Sequence, residues 1–331
     1  MKILRKHPIK RPHMLTEACS GGRGFAVGIE ILIFLLVFFI AQLLQMIPVG
    51  IATVAAFLTS NNASAMIAAL QNGNLEGYQT AFTRFLAEQN GTLMLVQLFS
   101  TALSIATAIL FCRLIEKRTP ASMGLRRGNI LGEYLVGSVI GIAMISLCVG
   151  LCAALGGLTL QVSSFPIHIW LLYVVGFLIQ GMSEELLCRG YLMVSISRKN
   201  KLWLAIVWNA VLFALLHIAN PGIGPLPLIN IAFFGIFESV YVLKRGNIWG
   251  AGAIHSLWNF FQGNVYGISV SGTGTGASPL SASLTGGMEW LNGGTFGLEG
   301  GIAVTAVLAV AVLLAIFVMP NNAREMSVAD F

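Results

Sequence analysis

Two adjacent carboxylates and an arginine form the most unusual group of residues in the chain. They lie within residues 181–192, in a segment that otherwise has the composition of a membrane span. A charge near the centre of a bilayer costs several kcal/mol, so an ionisable residue at that depth is a functional candidate. On a helix Glu185 and Arg189 share one face and can neutralise each other, whereas Glu184 points about 100° away from Glu185. Glu184 is therefore the carboxylate that has no partner on its own segment.

Two other apolar segments also carry polar residues. His217 ends the stretch that begins at Phe213, and His255 and Asn259 are four residues apart, so that they project from one helix face. At about 1.5 Å per residue from the nearest basic loop, Glu184 and these three groups lie roughly 15–24 Å deep. The apolar core of a bilayer is about 30 Å thick. We therefore expect one carboxylate, two imidazoles and one carboxamide to meet in a single buried pocket.

This set of groups suits the hydrolysis of a peptide bond within the membrane. A carboxylate with a histidine beside it can hold a water molecule and take its proton. A second histidine and an asparagine amide can donate hydrogen bonds to an oxyanion, and one such donor is worth about 3–4 kcal/mol in acyl transfer. Two histidines and a glutamate are also a known zinc-ligand set, with water in the fourth position. A zinc ion would be held by Glu184, His217 and His255.

The sequence lacks the motifs of the other intramembrane proteases. It has no HExxH motif, and its only aspartate is Asp330, so a di-aspartyl mechanism is excluded. Ser183 is not followed by the glycine that is typical of a rhomboid-like serine site. No glycine-rich phosphate-binding loop is present.

The composition predicts an all-α integral membrane protein with one polytopic domain, residues 1–331. The chain is 56% hydrophobic and only 10% charged, whereas a soluble domain carries about 25% charged residues. We expect a bundle of about eight transmembrane helices that surrounds a polar intramembrane cavity in the lipid bilayer. The predicted spans are residues 25–48 and beyond, 93–112, 131–155, 170–195, 202–218, 226–243, 248–261 and 301–319, the seventh being short enough to be partly re-entrant.

The segments between these spans have different compositions. Residues 1–24 are a basic N-terminal segment, and residues 58–90 are predicted to be a polar loop. The helices that carry the motifs occupy residues 167–262. Residues 263–299 are rich in glycine and serine, and we expect them to form an extracytoplasmic loop that caps the cavity.

The basic residues predict the orientation in the membrane. Of the 19 lysines and arginines, 17 lie in the two terminal segments and in alternate loops, and the exceptions are Arg84 and Arg189. By the positive-inside rule both termini are expected to be cytoplasmic. We expect the protein to lie in the cell (plasma) membrane. The positive net charge is therefore a topology signal and does not predict binding to nucleic acid.

Three motifs resemble those of a known family. They are Glu184-Glu185-x-x-x-Arg189, Phe213-x-x-x-His217 and His255-x-x-x-Asn259, which occur in this order on separate spans. Together they resemble the CPBP family, the CAAX-protease and bacteriocin-processing membrane proteins, also called the type II CAAX prenyl endopeptidase or Abi group. The resemblance covers roughly residues 178–299.

The resemblance implies an eight-helix bundle and proteolysis near the membrane. It implies Glu184 as the water-activating base with His217 beside it, and His255 and Asn259 as the oxyanion donors. Glu185 and Arg189 are implied as supporting structure, and Phe213 forms part of the pocket wall. The resemblance favours a mechanism without a bound metal. A zinc-dependent mechanism is the alternative. The implied substrate is a membrane-associated peptide or protein, lipidated in some members of the family.

Two questions remain open from the sequence. A non-catalytic protein, either a transporter or an immunity or scaffold factor, could reuse the same bundle, because polar residues at the midplane also mark transport paths. A transporter predicts inverted repeats, and the sequence shows none. Glu238 departs from the apolar or glycine residue of similar sequences, and it either adds a carboxylate to the cavity or extends to the membrane surface.

Overall fold

The computed structural model describes residues 9, 11–274 and 276–321, and this part of the chain is mostly helical. The basic segment 1–24 is therefore described only in part, and Asp330 lies outside the described residues. The α-helices are α1 (His13–Ser20), α2 (Val27–Thr59), α3 (Asn61–Gln71), α4 (Leu75–Ser100), α5 (Ala102–Leu114), α6 (Ile130–Ala154), α7 (Ile167–Glu185), α8 (Val194–Ser197), α9 (Leu202–Leu215), α10 (Pro225–Arg245), α11 (Trp249–Asn264), α12 (Glu289–Asn292) and α13 (Ile302–Phe317). The strands are β1 (Leu158–Val162) and β2 (Leu280–Leu284).

A helix lies at each of the eight predicted span positions, and the structure together with the composition indicates an integral membrane protein. Five helical segments are long and apolar enough to cross a bilayer: Val27–Thr59, Gly91–Leu114, Ile130–Ala154, Ile167–Ser197 and Pro225–Arg245. The apolar helices α9 and α13 have only 14 and 16 residues, which is roughly 21–24 Å of helix. The count of eight spans stays a prediction.

Residues 58–90 differ from the predicted polar loop. Helix α2 continues to Thr59, and α3 and the first half of α4 then form a helical hairpin. The hairpin buries Met66 and Phe85, and the Phe85 ring packs edge-on against Phe57 at 5.9 Å. The side chain of Asn74 caps α4 by accepting a hydrogen bond from Gly77 N at 2.9 Å. Asn62 is buried and donates a hydrogen bond to Glu88 Oε2 at 2.7 Å, which joins the two helices of the hairpin.

The segment after α11 contains regular structure that the all-α prediction missed. Strand β2 pairs with β1 in an antiparallel register that places Leu158 opposite Leu284. Two 3₁₀ turns, Gly294–Phe296 and Leu298–Gly300, then lead into α13. The strand pairing satisfies backbone N–H and C=O groups that a free loop would leave to water.

Close helix contacts fix the position of α11. This helix packs between α6 and α7. A Cβ atom at Gly141 of α6 would lie 2.5 Å from the carbonyl oxygen of Ile254, and one at Gly181 of α7 would lie 2.4 Å from Ser256 Oγ. Small residues let helix backbones approach closely in membrane proteins. These two glycines therefore allow α11 to bring its polar face against α7.

Candidate active site

The adjacent glutamates end α7, where the helix changes its winding. Residues Leu186–Met193 continue the chain as a π-helix, a rare form that occurs frequently at functional sites. Arg189 in this segment is fully buried, and its Nη1 donates to Glu185 Oε1 at 2.7 Å. The guanidinium carbon of Arg189 also lies 4.4 Å from the centroid of the Phe213 ring. The buried arginine is thus held by one carboxylate and one aromatic face.

His255 lies between the two carboxylates. Its Nδ1 is 2.8 Å from Glu185 Oε1 and its Nε2 is 3.7 Å from Glu184 Oε2. An ionised carboxylate can only accept, so Nδ1–H donates to Glu185 and this bond fixes the orientation of the ring. The Nε2 edge of His255 consequently faces Glu184.

The two glutamates have different surroundings. The Glu185 side chain is completely buried, whereas 31% of the Glu184 side chain is exposed. Glu184 Oε1 accepts a hydrogen bond from Gln180 Nε2 at 2.5 Å, and Gln180 Oε1 accepts one from Asn259 Nδ2 at 3.1 Å. Glu184, Gln180 and Asn259 therefore form a hydrogen-bonded chain that joins α7 to α11. Sequence analysis did not identify Gln180. The signal that could have identified it is a carboxamide in an apolar span, four residues before Glu184.

His217 lies two residues beyond the end of α9, and its ring contacts the backbone of that helix. Its Nδ1 is 2.8 Å from the carbonyl oxygen of Phe213, and since a carbonyl only accepts, Nδ1 carries the proton. The lone pair then resides on Nε2. Within the described residues no hydrogen bond or ion pair joins His217 to Glu184, and the imidazole beside Glu184 is that of His255.

One pocket of about 300 Å³ brings the candidate residues together. Glu184, His217, His255 and Asn259 all line it, and Phe213 forms part of its wall. The Phe213 ring lies 5.0 Å from the His217 ring and 5.9 Å from the His255 ring, centroid to centroid. One carboxylate, two imidazoles and one carboxamide therefore border the same pocket.

The segment after α11 contributes to the same pocket. Glu299, in the last 3₁₀ turn, lines the pocket together with Ser271 and Thr273. Glu299 Oε2 accepts hydrogen bonds from Ser271 N at 2.6 Å and from Gln262 Nε2 at 3.2 Å. Burial raises the pKa of the Glu299 carboxyl to about 7. Sequence analysis expected this segment to cap the cavity but did not identify Glu299.

Glu238 occupies neither of the two positions considered for it. Its side chain on α10 is fully buried and does not line the pocket. Among the described residues neither carboxyl oxygen has a hydrogen-bond partner. Glu238 interacts electrostatically with Glu185 and Arg189, so it lies behind the candidate site.

The described residues do not present a zinc site. No group of three His, Cys, Asp or Glu side chains within residues 9, 11–274 and 276–321 is arranged to hold a metal ion. In the expected ligand set, Glu184 and His255 are neighbours, but His217 does not join them. The three side chains therefore do not fit a common ion in this arrangement.

Comparison with known proteins gives one match. No curated protein and no solved structure matches the chain. The family model described as Type II CAAX prenyl endopeptidase Rce1-like matches residues 166–261, from the start of α7 through most of α11, and this range contains all three motifs. The activity of that family is intramembrane CAAX proteolysis. Residues 166–261 are therefore similar to the type II CAAX prenyl endopeptidase Rce1-like family, the similarity that the three motifs indicated.

Proposed function

We propose that the protein is an intramembrane endopeptidase in which Glu184 activates a water molecule. The observation that carries this proposal is the position of His255, which contacts the buried Glu185 through Nδ1 and faces the exposed Glu184 through Nε2 in one pocket. A partly exposed carboxylate can hold a water molecule within hydrogen-bond reach, as a general base must, and the oriented imidazole beside it can contact the substrate.

In the proposed first step, water bound to Glu184 attacks the carbonyl carbon of the substrate. Glu184 takes one proton from the water, and the resulting hydroxide forms the new C–O bond. His217 can accept a hydrogen bond from this water at Nε2, because its Nδ1 proton is committed to the carbonyl oxygen of Phe213. Glu184 thus takes a proton from the water, and His217 accepts a hydrogen bond from the same water.

The proposed oxyanion donors are His255 and Asn259. Because Nδ1–H of His255 donates to Glu185, a second N–H at Nε2 is available when the ring is an imidazolium. Donors that are fixed before the reaction stabilise the developing charge without reorganisation. When the intermediate collapses, the C–N bond breaks and Glu184 returns its proton to the leaving nitrogen, which leaves a carboxylic acid and an amine as products.

The remaining motif residues support the site. Glu185 orients His255, and Arg189 neutralises Glu185 at 2.7 Å. Phe213 lies against both Arg189 and His255 and keeps this face of the pocket apolar. A low local dielectric strengthens each of these polar contacts.

We further propose that the reaction needs no metal and that the pocket lies within the bilayer. The family implies a membrane-embedded protein as substrate, and both lipidated and unlipidated proteins are candidates. The distribution of lysine and arginine supports cytoplasmic termini in the cell membrane.

The test compares cells that express the wild type, Glu184→Gln or Glu76→Gln. Glu76 lies in the exposed first turn of α4 and is the matched control. New peptide termini in the membrane fraction are measured by terminal labelling and mass spectrometry. The proposal predicts termini that appear with the wild type and with Glu76→Gln but are absent with Glu184→Gln.

Three results would count against the proposal. Equal sets of termini from the wild type and from Glu184→Gln would contradict the role of the carboxylate, provided both proteins reach the membrane in equal amount. A complete lack of wild-type-dependent termini would favour the transporter or the immunity or scaffold factor. Loss of the termini on addition of a zinc chelator to wild-type membranes would contradict the metal-free mechanism.

A further inference from the structure

The pocket has two chemically different walls. One wall consists of apolar side chains from α10, α11, α13 and the end of α9: Leu216, Ile231, Phe234, Trp258, Val304 and Leu308. The other wall is formed by α2, α4, α5, α7 and the residue between α4 and α5, and it also includes the apolar Phe38, Met94, Leu98 and Phe177. Its carboxamides and hydroxyls are those of Gln42, Gln45, Gln97, Thr101, Ser104 and Gln180. We call the second set the carboxamide wall. The active-site groups proposed above do not account for it.

The outer part of the carboxamide wall has unused hydrogen-bonding groups. Gln45 Nε2 donates to Gln42 Oε1 at 2.6 Å and to Ser104 Oγ at 2.5 Å. The Gln97 side chain makes no hydrogen bond to any of the described residues, and the amide nitrogen of Gln42 likewise has no partner among them. Both residues are exposed, yet they lie on helices that are long and apolar enough to span a bilayer.

An unpaired carboxamide on such a helix is unfavourable unless a polar group meets it. Transfer of an amide from water to a medium that cannot form hydrogen bonds costs roughly 4–8 kcal/mol. Gln42 and Gln97 avoid this cost only if water or a polar ligand fills the pocket beside them. A carboxamide has one acceptor oxygen and two donor hydrogens, so it matches the C=O and N–H groups of a polypeptide backbone.

The inner end of the carboxamide wall reaches the proposed catalytic groups. The Gln180 amide accepts from Asn259 Nδ2 through its oxygen and donates to Glu184 Oε1 through its nitrogen. A peptide unit has the same carbonyl oxygen and N–H group. The Gln180 amide therefore has the contacts that a scissile peptide bond would make with an oxyanion donor and a base.

We propose that the carboxamide wall binds the backbone of an extended polypeptide and that the scissile bond displaces the Gln180 amide at its inner end. This inference rests on the proposed function and specifies the substrate of that site. Gln42 and Gln97 bind backbone groups next to the scissile bond, and Gln180 moves aside when the substrate carbonyl oxygen takes its place on Asn259. The substrate class is an unwound segment of a membrane polypeptide, recognised through its main chain.

Two consequences follow for the choice of substrate. An intact α-helix cannot occupy the wall, because its backbone N–H and C=O groups are paired within the helix. Substrate segments must therefore lack helical structure at the cleaved bond. Recognition through the main chain also tolerates many side chains. The cleaved bonds should therefore have an extended conformation in common rather than a common amino-acid sequence.

The first experiment repeats terminal labelling with Gln97→Leu and with Gln79→Leu. Gln79 is an exposed residue of the same helix that does not line the pocket, so it is the matched control. The inference predicts that Gln97→Leu weakens the wild-type-dependent termini as a group, and that Gln79→Leu leaves them unchanged. Termini of equal intensity in the wild type and in Gln97→Leu overturn the inference but leave the proposed function intact. A lack of termini in the wild type overturns both.

The second experiment uses the wild-type protein with modified peptides, so its main result does not depend on the folding of a variant. The probe is a fluorogenic peptide that spans the bond cleaved most strongly by the wild type, reconstituted with the purified protein in liposomes. Replacing single backbone N–H groups beside that bond by N–CH₃ should raise KM roughly 2–10-fold at one or more positions, the equivalent of one hydrogen bond. Gln97→Leu should raise KM by a similar factor and leave kcat within about twofold. An unchanged KM for every methylated peptide overturns the inference.

Discussion

At the scale of single residues, the surroundings of Glu184 and Glu185 give two adjacent identical side chains different roles. Glu185 is buried and holds an arginine and a histidine, whereas Glu184 is partly exposed and faces the pocket. The rotation of about 100° between neighbouring helix positions predicted this division from the sequence alone. Gln180 could not be identified in the same way, because its role depends on Asn259, a residue 79 positions away that only the fold brings near.

Removal of Arg189 should destabilise the protein strongly. Arg189→Leu leaves the buried Glu185 without its cation, and breaking a buried pair in this way costs about 3–5 kcal/mol. The apparent unfolding temperature of the purified protein in detergent measures the effect. Arg84→Leu, at an exposed position of α4, is the control and should change stability by no more than about 0.5 kcal/mol. Equal unfolding temperatures for the two variants would show that the buried pair is not needed for stability.

The carboxyl group of Glu299 should make stability depend on pH. Burial raises its pKa from an ordinary value of 4.5 to about 7, so between these values the folded protein keeps a proton that the unfolded chain releases. The free energy of unfolding should therefore fall as the pH rises from 4.5 to 7, by about 3 kcal/mol at most. Glu299→Gln removes this titration, and its unfolding temperature should change less than that of the wild type between pH 5 and pH 8. Parallel pH profiles for the two proteins would contradict the prediction.

At the scale of helices, the candidate site depends on the close contact of α7 with α11. Gly181 lies so near to α11 that a Cβ atom would be 2.6 Å from the backbone nitrogen of Ser256. His255 and Asn259 flank this contact on α11, and Glu184 lies one turn beyond Gly181 on α7. The spacing of the two helices therefore sets the distances between the proposed base and the proposed oxyanion donors.

Gly181→Ala should lower both stability and peptide cleavage. The added methyl group forces α7 and α11 apart, and overpacking of this kind costs about 1–3 kcal/mol. Gly150→Ala is the control, because a Cβ atom at Gly150 of α6 has no neighbour within 4 Å, and alanine is a better helix former than glycine. Unfolding temperatures and terminal labelling measure the two effects. Full activity of Gly181→Ala would show that the helix spacing does not limit the reaction.

Helix positions were more predictable than the segments between them. Long apolar runs located the helices at all eight predicted positions, because burial in lipid or protein demands a continuous apolar surface. The helices at residues 61–71 and 75–90 were missed since polar residues on a short amphipathic hairpin look like a loop. The pairing of β1 with β2 joins segments about 120 residues apart, and no local pattern predicts such a contact.

At the scale of the whole molecule, the charge distribution predicts that the loop around residue 199 and the strand pair lie on opposite sides of the membrane. In a Cys19→Ser background, which removes the exposed native cysteine, an impermeant maleimide added to intact cells should label Ser283→Cys. It should label Lys199→Cys only after the membrane is permeabilised. Both positions are exposed in the structure, so a failure to react reflects the membrane and not burial. Labelling of Lys199→Cys in intact cells would reverse the predicted orientation.

The family match covers only the part of the molecule that contains the three motifs. Residues 166–261 supply Glu184 and the two histidines, while the carboxamides of α2 and α4 and Glu299 lie outside the match. The shared segment thus carries the proposed chemistry, and the surrounding helices complete the pocket. The proposed catalytic groups therefore lie in the segment that is similar to the family, and the proposed substrate contacts lie mostly outside it.

The rate of peptide cleavage by purified protein in liposomes tests the proposed function most directly. The substrate is the fluorogenic peptide that spans the bond cleaved most strongly in cells, and the proteins compared are the wild type, Glu184→Gln and Glu76→Gln. Loss of a general base typically lowers the rate by about 10²–10⁴-fold. We predict a loss of this size for Glu184→Gln, an unchanged rate for Glu76→Gln and equal unfolding temperatures for all three. Cleavage by Glu184→Gln at the wild-type rate would contradict the assignment of Glu184 as the base.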